Sequence, residues 1–301
     1  MARDSAAMVV KAVDQNGNGE IDIEDIIILS VKTPGVKINR DNFLKKELSS
    51  KYPQDVVDKA IATNPAQAGI KVEEIDKIAD AVIKFERNMV SGISTALGVP
   101  GGWAMVATIP ADLAQYYGYT LRAAQKLMYL YGFPQIIPAD EGEEMPLDSA
   151  TMNELIVCLG IMYGVAGANN AIKAIAKALG TGVEKQLMKK ALTKGTIYPL
   201  VKNIAKWFGI NMTKKVFSGF FGKAIPVAGG VISGGVTFLS FMPCCKRLKL
   251  ALKDTQLSNL AHVSSKEEDD IVQMIMGDDT YDFEPDDSVV VLEDVEVEEE
   301  E

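Results

Sequence analysis

An all-α protein is what this 301-residue sequence predicts, and three observations predict it. From Lys71 onward, apolar residues recur at three- and four-residue spacing almost throughout. Helix punctuation brackets the longest such stretch, with Pro110 able to open it and Gly132 with Pro134 able to close it. In the first 86 residues, two loops of matching frame stand between short helical patterns. The composition, 48% hydrophobic and 24% charged, is that of an ordinary globular chain. The predicted organisation is a helical module over 1–69, a helical body over 70–265 and an acidic tail over 266–301, mostly disordered.

The first loop reads "DQNGNGEIDIEDI", residues 14–26, and follows a predicted helix over 5–13. A twelve-residue EF-hand loop takes oxygen ligands from positions 1, 3, 5, 7, 9 and 12, with glycine at 6 for the sharp turn. Those positions hold Asp14, Asn16, Asn18, Glu20 (through its main-chain carbonyl), Asp22 and Asp25, with Gly19 at the turn. Ile21 sits at position 8, where a paired loop adds a short β-bridge, and a helix is expected over 23–31. The alternative is an Asp/Asn/Gly turn that binds nothing. Asp25 stands where glutamate is usual, and its shorter carboxylate predicts weaker Ca²⁺ binding or greater tolerance of Mg²⁺. Aspartate there is shared with dockerin loops, but those come as two good copies in secreted proteins.

A second frame, "TNPAQAGIKVEEI", runs from Thr63 to Ile75. Ile70 and Glu74 fall at positions 8 and 12, yet Thr63, Pro65 and Gln67 at positions 1, 3 and 5 cannot build a cage. It predicts a degenerate, metal-free partner hand running on to about residue 86, or else an ordinary interhelical loop. Between the two, "NRDNFLKKELSSKY" reads as an extra capped helix.

On the long helix after Pro110, Leu113, Tyr117, Leu121, Ala124, Met128 and Tyr131 share one arc, and Asp112, Gln115, Tyr119, Arg122 and Lys126 share the other. The polar stripe reads first as a solvated face. The second reading is a site for an uncharacterised enzyme or ligand-binding protein using Asp112, Gln115, Arg122 and Lys126. The stretch "PGGWAMVATIPADLAQYYGYTLRAAQKLMYLYGFP", with the later "FFGKAIPVAGGVISGGVTF", resembles the EcsC protein family over about residues 70–255. That resemblance implies an all-helical domain in a membrane-linked context. It transfers no catalytic role to any position, and the loop at 14–25 lies outside it.

Charge is divided unevenly. Residues 266–301 hold 17 of the 41 acids and one of the 31 basic residues, which leaves 24 acids and 30 basic residues for 1–265. A body of about +6 and a tail of about −16 suggest an anionic partner for the body. Lys173 to Lys215 contains ten lysines interleaved with apolar residues, Trp207 and Phe208, and one acid, Glu184. Such a segment reads as an anionic-membrane surface or, equally, as the lysine face of core helices. The tail reads as a competitor covering that basic face, with "EEDDIVQMIM" as a short helix. Ala224 to Cys245 carries no charge, but Pro226 and Pro243 and four glycines favour a buried helix over a membrane span.

The start, "MARDSAAMVVKAVDQNG", has no basic region followed by an apolar core, and Cys158, Cys244 and Cys245 form no framework, so the expectation is cytoplasmic, with peripheral membrane attachment. Nucleic acid is not expected, for want of any recognition motif. His262, the one histidine, reads as a surface residue, and Gly222-Lys223 lacks the companions of a phosphate loop. The sequence therefore predicts a calcium-binding helical protein, more a non-enzymatic membrane-surface partner than an enzyme.

Overall fold

The computed structural model describes residues 13–19, 21–97, 104–138, 147–183, 185–209 and 229–277, with the backbone alone described at 90–97, 104–113, 185 and 229–240. Among them are eleven helices and no strand: α1 (Ile23–Val31), α2 (Arg40–Leu48), α3 (Gln54–Ala62), α4 (Val72–Leu97), α5 (Ala104–Leu130), α6 (Ser149–Met162), α7 (Ala168–Gly180), α8 (Lys185–Thr193), α9 (198–209), α10 (Gly229–Lys253) and α11 (Lys266–Gly277). Expectations for 5–12, Glu20, the Asp112 side chain, 210–228 and 278–301 fall outside the described residues.

Short polar side chains start several of these helices. Asp22 accepts from the N–H groups of Glu24 (2.8 Å) and Asp25 (3.1 Å), while Asp25 accepts from Asp22 N–H (3.0 Å), a reciprocal capping box that opens α1. Asn39 caps α2 through Asn42 N–H (2.9 Å), so the extra capped helix is present. Asp148 caps α6 through Thr151 N–H (2.8 Å). At the far end of α5, Phe133 N–H reaches Met128 O (2.9 Å) across Gly132, whose φ is 98°, and the helix stops there. Its start differs from expectation. α5 begins at Ala104, and Pro110 is its seventh residue, inside the helix, where it has no N–H to donate.

One continuous apolar cluster runs from Val13 to Ile275. α6 is its axis: Leu155 through Met162 are all buried, so this helix is apolar around its whole girth. α10 lies along α4, tied at its C-terminal end by Lys249 to Asp80 (2.7 Å) and Lys253 to Asp76 (2.9 Å). α1 packs on α5 and α6, α2 on α3 and α5, and α7 and α8 on α6. The apolar arc expected on α5 is buried at Tyr117, Leu121, Ala124, Met128 and Tyr131. Phe208 corrects its expected place at a membrane boundary: it is 1% exposed and stacks edge-on against Tyr163 of the core (5.4 Å). α11 gives the "EEDDIVQMIM" segment its expected helix, and it packs on α7 and α8 through buried Val272 and Ile275. No helix among the described residues is long and apolar enough to cross a membrane.

Candidate functional site

The loop that precedes α1 turns on Gly17 (φ 75°) and Gly19 (φ 84°). A Cβ at either would meet nothing within 4 Å, so backbone strain and not space is what favours glycine there. Asp14 ties the turn together, accepting Gly17 N–H on Oδ1 (2.7 Å) and Gly19 N–H on Oδ2 (2.9 Å). Asn16 Oδ1 accepts Asn18 N–H (3.0 Å). Both amide groups donate to Asp22 Oδ2, from Asn16 at 3.2 Å and Asn18 at 2.9 Å.

Asp25 is fully buried. Its Oδ1 accepts from Gln15 N–H (2.8 Å) and Asn16 N–H (3.1 Å), and its Oδ2 from Asp22 N–H. Burial pushes this carboxyl above its ordinary range, against the pull of those three donors. Burial also raises the carboxyl of Glu24, with Asp22 and Asp25 adding to the effect. The structure thus brings Asp14, Asn16, Asn18, Asp22 and Asp25 onto one loop, with Asp25 turned to the main chain that closes it. Among the described residues, no three His, Cys, Asp or Glu side chains converge as a metal group, and Glu20 lies outside them. The donors are all oxygens, the chemistry a hard cation requires.

The second frame is built differently. The loop from Thr63 closes on itself, with Ala68 N–H to Asn64 O (3.0 Å), Ile70 N–H to Pro65 O (3.1 Å) and Gln67 N–H to Asn64 Oδ1 (2.8 Å). No strand joins Ile21 to Ile70, so the β-bridge expected of paired loops is absent among the described residues. The reason is packing: α1 turns onto α5 and α6, while α3 sits on α2.

The segment after α1 makes a dock that the sequence did not reveal. Residues 32–39 run across the polar stripe of α5, which hydrogen-bonds their main chain. Arg122 Nη1 donates to Gly35 O (2.5 Å), Gln125 Nε2 to Val36 O (2.9 Å) and Tyr129 Oη to Ile38 O (3.3 Å), and Gln125 Oε1 accepts Ile38 N–H (3.2 Å). From the other side comes Glu86 of α4, whose side chain is wholly buried. It receives Arg122 Nε on both oxygens (3.1 and 3.0 Å) and pairs with Lys126. The solvated reading of this stripe is therefore corrected. The Lys126 side chain is 9% exposed, because Glu86 and Phe85 of α4 and Phe43 of α2 lie against it. Burial lowers the Lys126 ammonium below its ordinary value, with Glu86 opposing the shift. Gln115 and Tyr119 are half-buried.

Arg40 was also missed. Its guanidinium donates to Ile61 O (2.8 Å), Thr63 O (2.8 Å) and Phe133 O (3.1 Å), tying the second loop to the end of α5. His262 is not a surface residue. Its side chain is 6% exposed and lies between Asp254 (3.4 Å) and Glu268 (2.9 Å). The basic segment is partly neutralised: Lys173 pairs with Asp254, Lys177 with Asp269 on α11, and Lys189 with Asp148 (2.7 Å). Cys158, Cys244 and Cys245 are buried free thiols, and burial raises Cys244 to about 11.

These observations define an all-α protein with an acidic, oxygen-rich loop docked on a helical body. No family model, curated protein or solved structure matches the chain.

Proposed function

We propose that this is a calcium-binding, EcsC-like helical protein that works at an anionic membrane surface, or against a membrane protein, without catalysing a reaction. The observation that carries the calcium reading is the charge of the loop. Asp14, Glu20, Asp22, Glu24 and Asp25 fall within twelve residues that contain no basic residue. In their place, main-chain and amide N–H groups compensate the carboxylates. Ca²⁺, or Mg²⁺ as the second candidate, would be held by Asp14, Asn16, Asn18, Asp22 and Asp25 with the Glu20 carbonyl. The ion would supply the positive charge that the loop otherwise borrows from amides. Asp25 is already committed to three N–H groups, which supports weak binding. The lysines of α7 to α9 support the membrane half of the reading, and the bonded state of Arg122, Gln125 and Lys126 supports a docking role for the α5 stripe over a reaction centre.

Calorimetric titration with Ca²⁺ tests this, on the full chain and on Asp14→Ala, with and without vesicles containing anionic lipid. Saturable heat from the parent chain, weakened at least about tenfold in the variant, is expected from the loss of one charged ligand. An absence of heat from the parent chain removes the calcium reading. Heat that is the same with and without vesicles makes the ion a structural staple.

A further inference from the structure

A second candidate site lies at the C-terminal end of α6, where the chain turns into α7. A cleft of about 420 Å³ opens between the turn joining α6 to α7 and the last turns of α10, with Asn169, Asn170, Lys173, Arg247 and Asp254 as its polar lining beside small and apolar residues. That volume is within the range of roughly 300–1,000 Å³ typical of small-molecule pockets.

Two cations, Arg247 and Lys173, and one acid, Asp254, line it. Arg247 has no carboxylate partner among the described residues. Nη1 donates to Met162 O (3.3 Å), and Nε is buried without any partner. A buried donor left unpaired is costly, and such a group calls for an acceptor. Gly164 sits against it: a Cβ there would lie 3.7 Å from Nε. Lys173 adds a second cation, balanced by Asp254, which is itself held by His262. The turn "GVAG" uses two left-handed glycines, Gly164 (φ 72°) and Gly167 (φ 81°), and leads directly into α7. Gly167 caps that helix with no side chain, so Asn169 and Asn170 carry first-turn N–H groups that the helix does not use. Uncapped N–H groups, the positive helix end and a guanidinium that spends Nη1 on Met162 O but has no carboxylate partner among the described residues border one cleft, and such donors are those that a tetrahedral oxyanion takes up.

We propose that this cleft binds the phosphate group of a small phosphorylated ligand, with Arg247 and the N-terminus of α7 as its two clamps. The exposed Leu250 on the rim, 53% accessible, offers an apolar edge to the rest of the ligand. A free phosphomonoester and the headgroup of a phosphate-bearing lipid present the same oxyanion.

The test uses the full chain in chelator, which keeps calcium out of the measurement. Titrate inorganic phosphate, then glycerol 3-phosphate, by calorimetry, and sediment the protein with vesicles of phosphatidylcholine containing phosphatidate. One-to-one saturable binding of the soluble probes is expected. Arg247→Met should weaken it about tenfold or more, the usual loss with a charge-assisted hydrogen bond. Since Arg247 also holds Met162 O, that variant is paired with Asn169→Asp, which changes no packing. An acid in the first turn favours the helix, so Asn169→Asp should leave the ligand-free melting temperature unchanged or raised. By repulsion it should still weaken phosphate about tenfold or more. Soluble probes that bind and release the protein from vesicles mark a free compound as the ligand; vesicle binding lost in Asn169→Asp but indifferent to soluble probe marks a lipid. No saturable binding by any probe, or binding unchanged in Asn169→Asp, overturns the proposal.

Discussion

Glu86 is the residue whose removal the structure predicts most sharply. Its carboxylate is fully buried between two cations of α5, and Lys126 is also placed over the rings of Phe43 (5.6 Å) and Phe85 (5.7 Å). Glu86→Gln keeps the shape and removes the charge, leaving a buried ammonium beside a guanidinium. Breaking a buried pair by deleting one partner costs about 3–5 kcal/mol. Arg122 keeps a quarter of its side chain in water and the two rings still face Lys126, so the expected loss is at the lower end, about 3 kcal/mol. The pH dependence has a definite sign. Burial already lowers the Lys126 ammonium, and without Glu86 it falls further. Between that lowered value and the ordinary lysine value, the unfolded chain binds more protons than the folded one, so stability rises with pH there. The deficit of Glu86→Gln should therefore be largest near neutrality and shrink toward pH 10. Adding Lys126→Met should recover most of it, because an apolar replacement removes the stranded charge. Urea denaturation of the parent and the two variants at pH 7 and 9.5 measures all three effects. A loss below about 1 kcal/mol at pH 7, or no recovery in the double variant, refutes the account of a buried ion triad.

Glu154 gives a second pH signature. Burial, with Asp148 nearby, raises its carboxyl to about 7. Folding then takes up a proton between the ordinary value of 4.5 and about 7, so stability falls as pH rises through that window and is level above it. Glu154→Gln should remove this slope and gain about 1–3 kcal/mol at pH 8, with no gain at pH 4.5; equal gains at both would exclude Glu154 as the source. Gly118 lies close under α1 and the segment after it: a Cβ there would stand 2.9 Å from Val36 Cγ2 and 3.6 Å from Ser30 O. Gly118→Ala should cost about 1–2 kcal/mol net, overpacking outweighing the better helix propensity, and should speed amide exchange over 30–38; unchanged exchange would mean the contact is not what holds that segment.

The features legible in the sequence were those decided within one turn or one face. The capped helix after Asn39, Gly132 as a stop, the range of α1 and the buried arc of α5 all depend on neighbours a few residues away. That Asp14, Asn16, Asn18, Asp22 and Asp25 share one turn likewise follows from their spacing. What periodicity does not contain is the identity of the covering partner. A stripe of Gln115, Tyr119, Arg122 and Lys126 looks solvated at 100° per residue, and only the arrival of Glu86 and of residues 32–39 makes it interior. His262 was misplaced for the same reason, since Glu268 and Asp254 reach it only once α11 has docked. Arg247, in the "KRLK" after an apolar run, resembles a membrane flank until the turn at Gly164 is brought against it.

The dock also limits how calcium could act. α1 leads into a segment held by Arg122, Gln125 and Tyr129 at Gly35, Val36 and Ile38. Each such bond contributes about 0.5–1.5 kcal/mol net, more where a guanidinium donates, so swinging α1 off the body would cost several kcal/mol before any apolar area is counted. A ligand can shift a conformation only by its differential affinity for the two states. A loop closed by aspartate, with that aspartate already spent on three N–H groups, is a poor source of such a difference. An ion held by this loop would therefore leave α1 in place. The helical body would then serve the loop as a fixed support, unmoved by whatever the loop binds.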